Sequence, residues 1–234
     1  MSECHSTNDI AADLIKQSAQ LEGTTIITEN QTQGRGQRGN QWEAEAGKNA
    51  TFSIILRPTI VPIQNQFQLH LITTLAIYNS LFPILGKELK IKWPNDIYYK
   101  DRKLGGILIE NSIKGHQIEH SIIGIGLNLN QSRFHYPRAI SILDITNKEI
   151  EVNEMIEKII IELEKKYLML KQGQLSLLKS QYLRRLYQFN EENYYESMGH
   201  HFKGKIVMVD DHGLLHINEG EITHKFAFKE VTYL

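Results

Sequence analysis

Leu89-Lys-Ile-Lys-Trp-Pro-Asn-Asp-Ile-Tyr-Tyr-Lys-Asp-Arg-Lys-Leu-Gly-Gly-Ile-Leu-Ile-Glu110 decides how this chain folds. β-Branched and aromatic residues make short strands of Leu89 to Trp93, Ile97 to Lys100 and Lys103 to Glu110, and a fourth follows at Ile118 to Ile125. The joints between them, such as Lys100-Asp-Arg102, are too short for crossover helices, so the strands form antiparallel hairpins. Upstream, Thr24 to Thr28 and Ala50 to Leu56 read as two more strands, the second stopped by Pro58. Apolar residues at helical spacing predict a helix over 64–85, with Phe67, Leu71, Leu75, Tyr78 and Leu81 on its buried face, and others over 152–170 and 175–187. Ser6-Thr-Asn-Asp9 starts a capped helix that runs to about Leu21. The class is α+β, a mixed or antiparallel sheet flanked by helices. From Tyr194 onward the texture changes to short alternating runs at 205–209, 214–218 and 222–228, separated by Asp210-Asp-His-Gly213 and Glu219-Gly220. The chain therefore divides into residues 1–190 and a small β domain over 191–234.

With 234 residues and 41% hydrophobic composition, it can bury one sizeable core and a small accessory unit. Its 26 basic residues are matched by 27 acidic ones, so no global field recruits nucleic acid or a membrane. Any anion site must be a local concentration of arginine and lysine. Cys4 is the only cysteine and no basic-then-apolar leader opens the sequence, which makes the cytoplasm the expected compartment.

The run Gln31-Thr-Gln-Gly-Arg-Gly-Gln-Arg-Gly-Asn-Gln-Trp42 joins two strands and matches G-x-G-x-x-G. A dinucleotide fingerprint needs the third glycine to open a helix, and the residues after Gly39 lack a helical pattern. Arg35 and Arg38 instead interleave with the glycines, so a backbone able to approach a ligand closely also carries guanidinium charge, while Trp42 pins the segment. In Lys92-Trp-Pro-Asn-Asp96, Pro94 keeps Trp93 extended and holds Lys92, Asn95 and Asp96 in one place. Glycines inside the strands of Lys103-Leu-Gly-Gly106 and Gly124-Ile-Gly-Leu-Asn128 mark close approach of a ligand to the backbone. These segments are expected to face one cleft.

Arg35, Arg38, Lys92 and Lys103 supply positive charge there, and Asp96 supplies an oxygen ligand suited to Mg²⁺. That set suits a reaction between two anions. A carboxylate about 4 Å from a phosphoryl group meets a repulsion of roughly 4 kcal/mol per charge pair at an effective dielectric of 20. One donor aimed at the developing charge is worth about 3 to 4 kcal/mol, so a few cations offset it. Other candidates fail: His116 and His120, on a strand, stand about 13 Å apart and cannot chelate one ion. Cys4 precedes the first expected element and has no pattern of a nucleophile around it.

Taken in order, Ser6-Thr-Asn-Asp9, Gln31 with Gly34-Arg-Gly-Gln-Arg-Gly39 and Trp42, Lys92-Trp-Pro-Asn-Asp96, Lys103-Leu-Gly-Gly106 and Gly124-Ile-Gly-Leu-Asn128 resemble the motifs of biotin protein ligases, over about residues 5 to 130. The resemblance implies a catalytic domain similar to class II aminoacyl-tRNA synthetases, followed by a small SH3-like β-barrel. It also implies biotin and Mg-ATP as reactants, biotinyl-5′-adenylate as intermediate, and a lysine of a biotin carboxyl carrier protein domain as acceptor.

Carried over, Ser6, Thr7, Asn8, Gln31, Gly34, Arg35, Gly36, Lys103 and Gly106 line the biotin side. Arg35, Arg38, Trp42, Lys92, Asn95, Lys103 and Asn128 line the ATP side. Lys103, Arg35 and Lys92 are the catalytic set, and Asp96 is the metal ligand. The glycine loop is expected to be disordered or raised without ligand and to close over biotin and ATP. Gln37 replaces an arginine common in the family and Asn40 a cation found in some relatives, so this loop is less basic than usual. The first motif begins at residue 6, leaving no room for the helix-turn-helix domain of the repressor members. Exposed sheet edges allow a homodimer. Lipoate or octanoate ligases share the fold, but their Arg-Arg and Gly-Gly-Gly signature and the internal cysteine of octanoyl transferases are missing. A non-catalytic regulatory module is disfavoured by the retained lysines and Asp96.

Overall fold

Antiparallel pairing organises the chain in the computed structural model, which describes residues 1–17 and 21–234. The first part runs β1 (Glu3–Cys4), α1 (Thr7–Gln17), β2 (Thr25–Ile27), β3 (Asn30–Gln31), β4 (Ala50–Leu56) and α2 (Phe67–Leu85). Strands β5 (Leu89–Lys92), β6 (Asp96–Tyr99), β7 (Arg102–Lys114) and β8 (Gln117–Leu127) follow, then helices α3 (Ile142–Thr146), α4 (Val152–Lys171) and α5 (Leu175–Leu183). The tail contains β9 (Glu192–Ser197), β10 (His200–Val209), β11 (Leu215–Glu219), β12 (Ile222–Phe226) and β13 (Thr232–Tyr233).

Six strands form one antiparallel sheet in the order β2-β4-β8-β7-β6-β5. The α+β class and the hairpin reading of residues 89–127 are borne out. One face of the sheet carries Phe52, Ile54, Ile107, Ile123 and Ile125 into a core with α2 and α4. The other is covered at one end by α1, where Ala11, Ile26, Ile55 and Ile122 make a smaller cluster. β4 is buried along its whole length, its apolar residues interrupted only by Thr51 and Ser53 on one face. The stretch Ile63–Glu88 is apolar and long enough to cross a membrane by composition, yet 67% of its apolar window is buried inside the protein, as a core helix should be.

Several boundaries differ from expectation for identifiable reasons. α1 was expected to reach Leu21; residues 18–20 lie outside the described residues, and Leu21 is not helical. α5 stops at Leu183 instead of Tyr187 because the next residues are captured by the sheet edge: Ile91 N–H donates to the Arg185 carbonyl at 2.9 Å and Tyr187 N–H to Ile91 at 2.8 Å. Cys4 does not precede the structured chain, since β1 pairs in parallel with β3, Cys4 opposite Gln31. The short α3 has a capping box, Ser141 with Asp144, a signal present in the sequence but not anticipated.

The tail is a five-stranded antiparallel sheet ordered β12-β11-β10-β9-β13, with β9 and β13 added to the expected runs. Its buried Leu215, Ile217 and Phe226 belong to the same apolar cluster as Phe67, Leu178 and Tyr182 of the main core. At the seam, Trp93 Nε1 donates to the Gly213 carbonyl at 2.9 Å. A Cβ on Gly213 would stand 2.6 Å from the Phe67 ring, and its φ of +85° is one that side chains disfavour. Gly213→Ala should therefore lower stability by about 2 kcal/mol, read as a lower urea midpoint at unchanged slope. An unchanged midpoint would show that the seam yields.

Candidate active site

Register places the polar residues of five strands in a single row. Thr51 lies opposite Gly126, Gly126 opposite Gly106, Gly106 opposite Asp96, and Asp96 opposite Lys92. Cross-strand neighbours project from the same face, so this row crosses the sheet beside the α1-covered end. A second row sets Ser53 opposite Gly124 and Gly124 opposite Leu108. The glycines leave the floor bare, and each is covered by a side chain. A Cβ on Gly126 would run into the Trp42 indole, one on Gly124 into the Asn8 amide, and one on Gly106 would stand 3.4 Å from both Lys103 Nζ and Asp96 Oδ1.

Lys103 reaches this face because of a bulge. Ile97 pairs with Gly105 but Tyr98 with Lys103, so β7 carries one extra residue, Leu104, and Lys103 turns toward the cleft. Its Nζ meets Asp96 Oδ1 at 2.8 Å. Its backbone is held on both sides, Lys103 N–H donating to Arg138 at 2.7 Å and Lys103 C=O accepting from Ile140 at 2.9 Å. Asn95 is spent on structure: its Nδ2 donates to the Ile107 carbonyl at 2.8 Å, fixing the turn that presents Asp96. The Trp93–Pro94 peptide of that turn is cis.

The start of α1 forms one wall. Ser6, Thr7 and Asn8 are buried. Gln31 Oε1 accepts from the Thr7 backbone at 2.8 Å and from its hydroxyl at 3.2 Å, a position that the β1–β3 pairing gives it. Ser53 Oγ lies 2.6 Å from both Thr7 Oγ1 and Asn8 Oδ1, and Asn8 Nδ2 donates to Glu110 at 2.7 Å. The glycine loop closes on itself: Trp42 N–H donates to Gly34 at 2.9 Å and Gly36 N–H to Asn40 at 2.7 Å around a 3₁₀ turn at Gln37–Gly39. Arg35 ties it to the floor through Asp9 at 2.6 Å and through an ion pair with Glu110. The side chain of Arg38 lies outside the described residues, so the ATP contact expected of it rests on the sequence alone.

Lys92 is enclosed. Burial pulls its ammonium below the usual lysine range; Asp96 works in the opposite direction, and the charges of Arg138 and Lys103 add to the lowering. Its Nζ donates to Tyr98 Oη at 3.3 Å.

Two cavities meet at Asp96 and Lys103 beneath the loop. One, of about 600 Å³, is lined by Ser6, Thr7, Asn8, Gln31, Gly124 and Lys92 among others; the other, of about 1470 Å³, extends past Gly34 and Trp42 to Asn128. Asn128 Nδ2 donates to Ile140 at 3.1 Å, while its buried Oδ1 has no protein partner, so an acceptor is left for a ligand. No group of three or more histidine, cysteine or acidic residues able to hold a metal occurs among the described residues.

The expected residues from Ser6 to Asn128 thus gather around one cleft, apart from Arg38, whose side chain is not described. Sequence reading missed Thr51 and Glu110, and also Tyr136, Arg138, Phe228, Lys229, Thr232 and Tyr233, which complete the lining, as well as Ser53, which is buried behind it and bonded to Thr7 and Asn8. Thr51 and Ser53, polar at alternate positions of an otherwise apolar strand, carried a usable signal. The tail residues carried none, since only docking of the tail sheet brings them here.

Residues 2–128 match the model of the Biotin/lipoate A/B protein ligase family. The bifunctional ligase/repressor BirA of Bacillus subtilis is 31% identical over 222 residues, 92% of this chain and 68% of its own length. The biotin–acetyl-CoA-carboxylase ligase of Mycobacterium tuberculosis is 33% identical over 68% of this chain, and the alignment spans 60% of that relative. In the Bacillus spizizenii protein of the same name as the B. subtilis one, the matched part is 51% of the length. A solved structure, the biotin protein ligase from Aquifex aeolicus in complex with biotin and ATP, superposes with a TM-score of 0.82 at 26% identity, covering 99% of this chain and 96% of that one.

Proposed function

Because the chain belongs to the Biotin/lipoate A/B protein ligase family, we propose that it activates biotin with ATP and transfers the biotinyl group to a lysine of a carrier domain. The observation that carries this reading is the Asp96–Lys103 pair, at 2.8 Å, where two cavities join beneath a glycine loop. A reaction between two anionic partners needs such a junction.

Biotin enters on the α1 side, its polar head among Ser6, Thr7, Asn8 and Gln31 and beneath Gly34 and Gly36, with its chain passing Gly106 toward Lys103. The polar atoms of that wall are already oriented by one another, so little ordering remains to be done on binding. ATP lies on the side of Trp42 and Asn128, whose free Oδ1 accepts from the adenine amine. Lys92 and Lys103 face the phosphates, and the sequence assigns Arg35 and Arg38 of the loop to the same charge.

A carboxylate oxygen of biotin attacks the α-phosphorus, the new O–P bond forms, and the bond to pyrophosphate breaks with its electron pair on the leaving group. Lys103 sits beside both anions and offsets their repulsion. Mg²⁺ fits Asp96: a single carboxylate matches an ion that takes one or two protein oxygens and fills its shell with water and phosphate. When bound it supplies charge neutralisation at the phosphates. In the second step a neutral lysine amine attacks the acyl carbonyl, AMP leaves with the bonding pair, and the amine proton goes to solvent. The loop, fastened by Arg35 to Asp9 and Glu110, excludes water from the acyl phosphate in between.

The acceptor is a biotin carboxyl carrier protein domain, and the sole cysteine supports the cytoplasm as the place of work. Residues 1–190 form the catalytic unit and 191–234 a β-tail domain that completes its cleft. Strand β2, at one edge of the six-stranded sheet, offers a pairing edge for a homodimer. The test is ATP–pyrophosphate exchange with purified protein: biotin should drive it, and lipoate and octanoate should not. Exchange with lipoate alone would sink the assignment.

A further inference from the structure

The Lys92 ammonium stands within 4.5 Å of the Tyr98 ring centroid, 4.6 Å of Tyr233 and 5.7 Å of Tyr187. These rings come from β6, from the segment after α5 and from β13, and they touch one another, Tyr98 to Tyr187 at 5.6 Å and Tyr187 to Tyr233 at 6.0 Å. The charged groups acting on Lys92 are Asp96, Lys103, Arg138 and Asp101, but no carboxylate lies within ion-pair distance of it among the described residues. Lys103, by contrast, is ion-paired with Asp96 at 2.8 Å. A ring face holds a cation in place by its quadrupole without accepting its N–H groups or cancelling its charge. Lys92 uses one of its three donors, on Tyr98 Oη, and keeps the others for an anion.

Of the three rings, Tyr233 is the one supplied by the tail. It is positioned by the β13–β9 pairing, opposite Tyr195, and by edge contact with the Tyr195 ring at 5.6 Å. Tyr187 is anchored by its hydroxyl to Asp101 at 2.6 Å, whereas the Tyr233 hydroxyl is buried without a partner. A buried hydroxyl that bonds nothing points to the aromatic face as the part in use.

We propose that Tyr233 is a positioning residue through which the tail sheet completes an aromatic cage around Lys92, holding that lysine as an unneutralised cation for the phosphates of the nucleotide. The inference rests on the ligase reading above and deepens it by giving the tail a task in the reaction. Lys92 and Tyr233 share the 600 Å³ cavity with Ser6 and Thr7, but Lys92 stands at the β5 end of the row that crosses the sheet, four strands from Thr51, so a cage that fixes it acts on the phosphate end of the cleft and not on the wall at α1.

The experiment is pyrophosphate exchange with biotin, comparing wild type, Tyr233→Phe, Tyr233→Leu and position 233 carrying mono-, di- and trifluorinated phenylalanine. Tyr233→Leu should raise KM for ATP about tenfold with KM for biotin within twofold of wild type. Tyr233→Phe, which keeps the ring, should recover the ATP KM. The fluorinated side chains keep shape and burial while draining the ring face, so KM for ATP should climb stepwise with fluorine number, in proteins whose melting temperatures match. In a Lys92→Met background the same series should be flat. A flat series in the wild-type background, or an equal rise in the Lys92→Met one, overturns the cage while biotin-dependent exchange by the wild type keeps the ligase reading standing. A wild type inert with biotin overturns both.

Discussion

Lys103→Ala should reduce biotin-dependent ATP–pyrophosphate exchange by roughly 10³-fold or more while the protein stays folded. Both halves follow from the site. Losing one donor aimed at developing charge typically costs about 3 to 4 kcal/mol, and here the loss is compounded. Asp96, about one-fifth exposed, would be left facing the incoming phosphates without the ammonium that stands 2.8 Å away. The fold has no such dependence on the side chain. The strand is held at this point by backbone hydrogen bonds to Arg138 and Ile140, and the ammonium is partly exposed. Circular dichroism and melting temperature should therefore stay near wild type. Lys103→Arg should restore little, since a planar guanidinium cannot place a compact charge beside both Gly106 and Asp96. Exchange at the wild-type rate in Lys103→Ala would remove Lys103 from the mechanism.

Gly124→Ala should weaken biotin binding by roughly 100-fold and destabilise the fold by about 2 kcal/mol. The new methyl would land on the Asn8 amide, with the amide carbon only 3.0 Å away. Asn8 has nowhere to go: it is 3% exposed and bonded to Ser53 and Glu110. Relief requires the start of α1 to lift from the sheet, carrying Ser6 and Thr7 away from Gln31. The double variant Gly124→Ala with Asn8→Ala separates the two effects. It should regain stability, because the clash is gone, without regaining affinity, because the hydrogen-bonded wall is gone too. Calorimetric titration with biotin and urea unfolding measure the two quantities, and full affinity in Gly124→Ala would show that the wall is plastic.

The strands around residue 100 were legible because hairpins are local: alternation and short turns set their direction without reference to the rest of the chain. Ala50–Leu56 was found with its observed ends, and α2 and α4 nearly so, since a long periodic stripe leaves little choice. The segments that gather at the cleft were legible for another reason. Interior glycines and lysine-flanked turns break local rules, and such breaks concentrate where a ligand is accommodated. Errors fell where a distant partner intervened, as when the edge of β5 captured the end of α5.

By itself the sequence determined the order and type of the long elements, the family, and the polar groups that its motifs bring to the cleft, because these depend on residue type and short spacing. Only the tertiary structure decided which of them meet. The one-residue bulge that turns Lys103 onto Asp96 is a matter of strand register, and the Glu110 tether of Arg35 needs two strands and a loop to come together. The tyrosine from the last strand that closes around Lys92 needs a whole sheet to dock. Such contacts join residues far apart in the chain, and their geometry is set by the packing of everything between them.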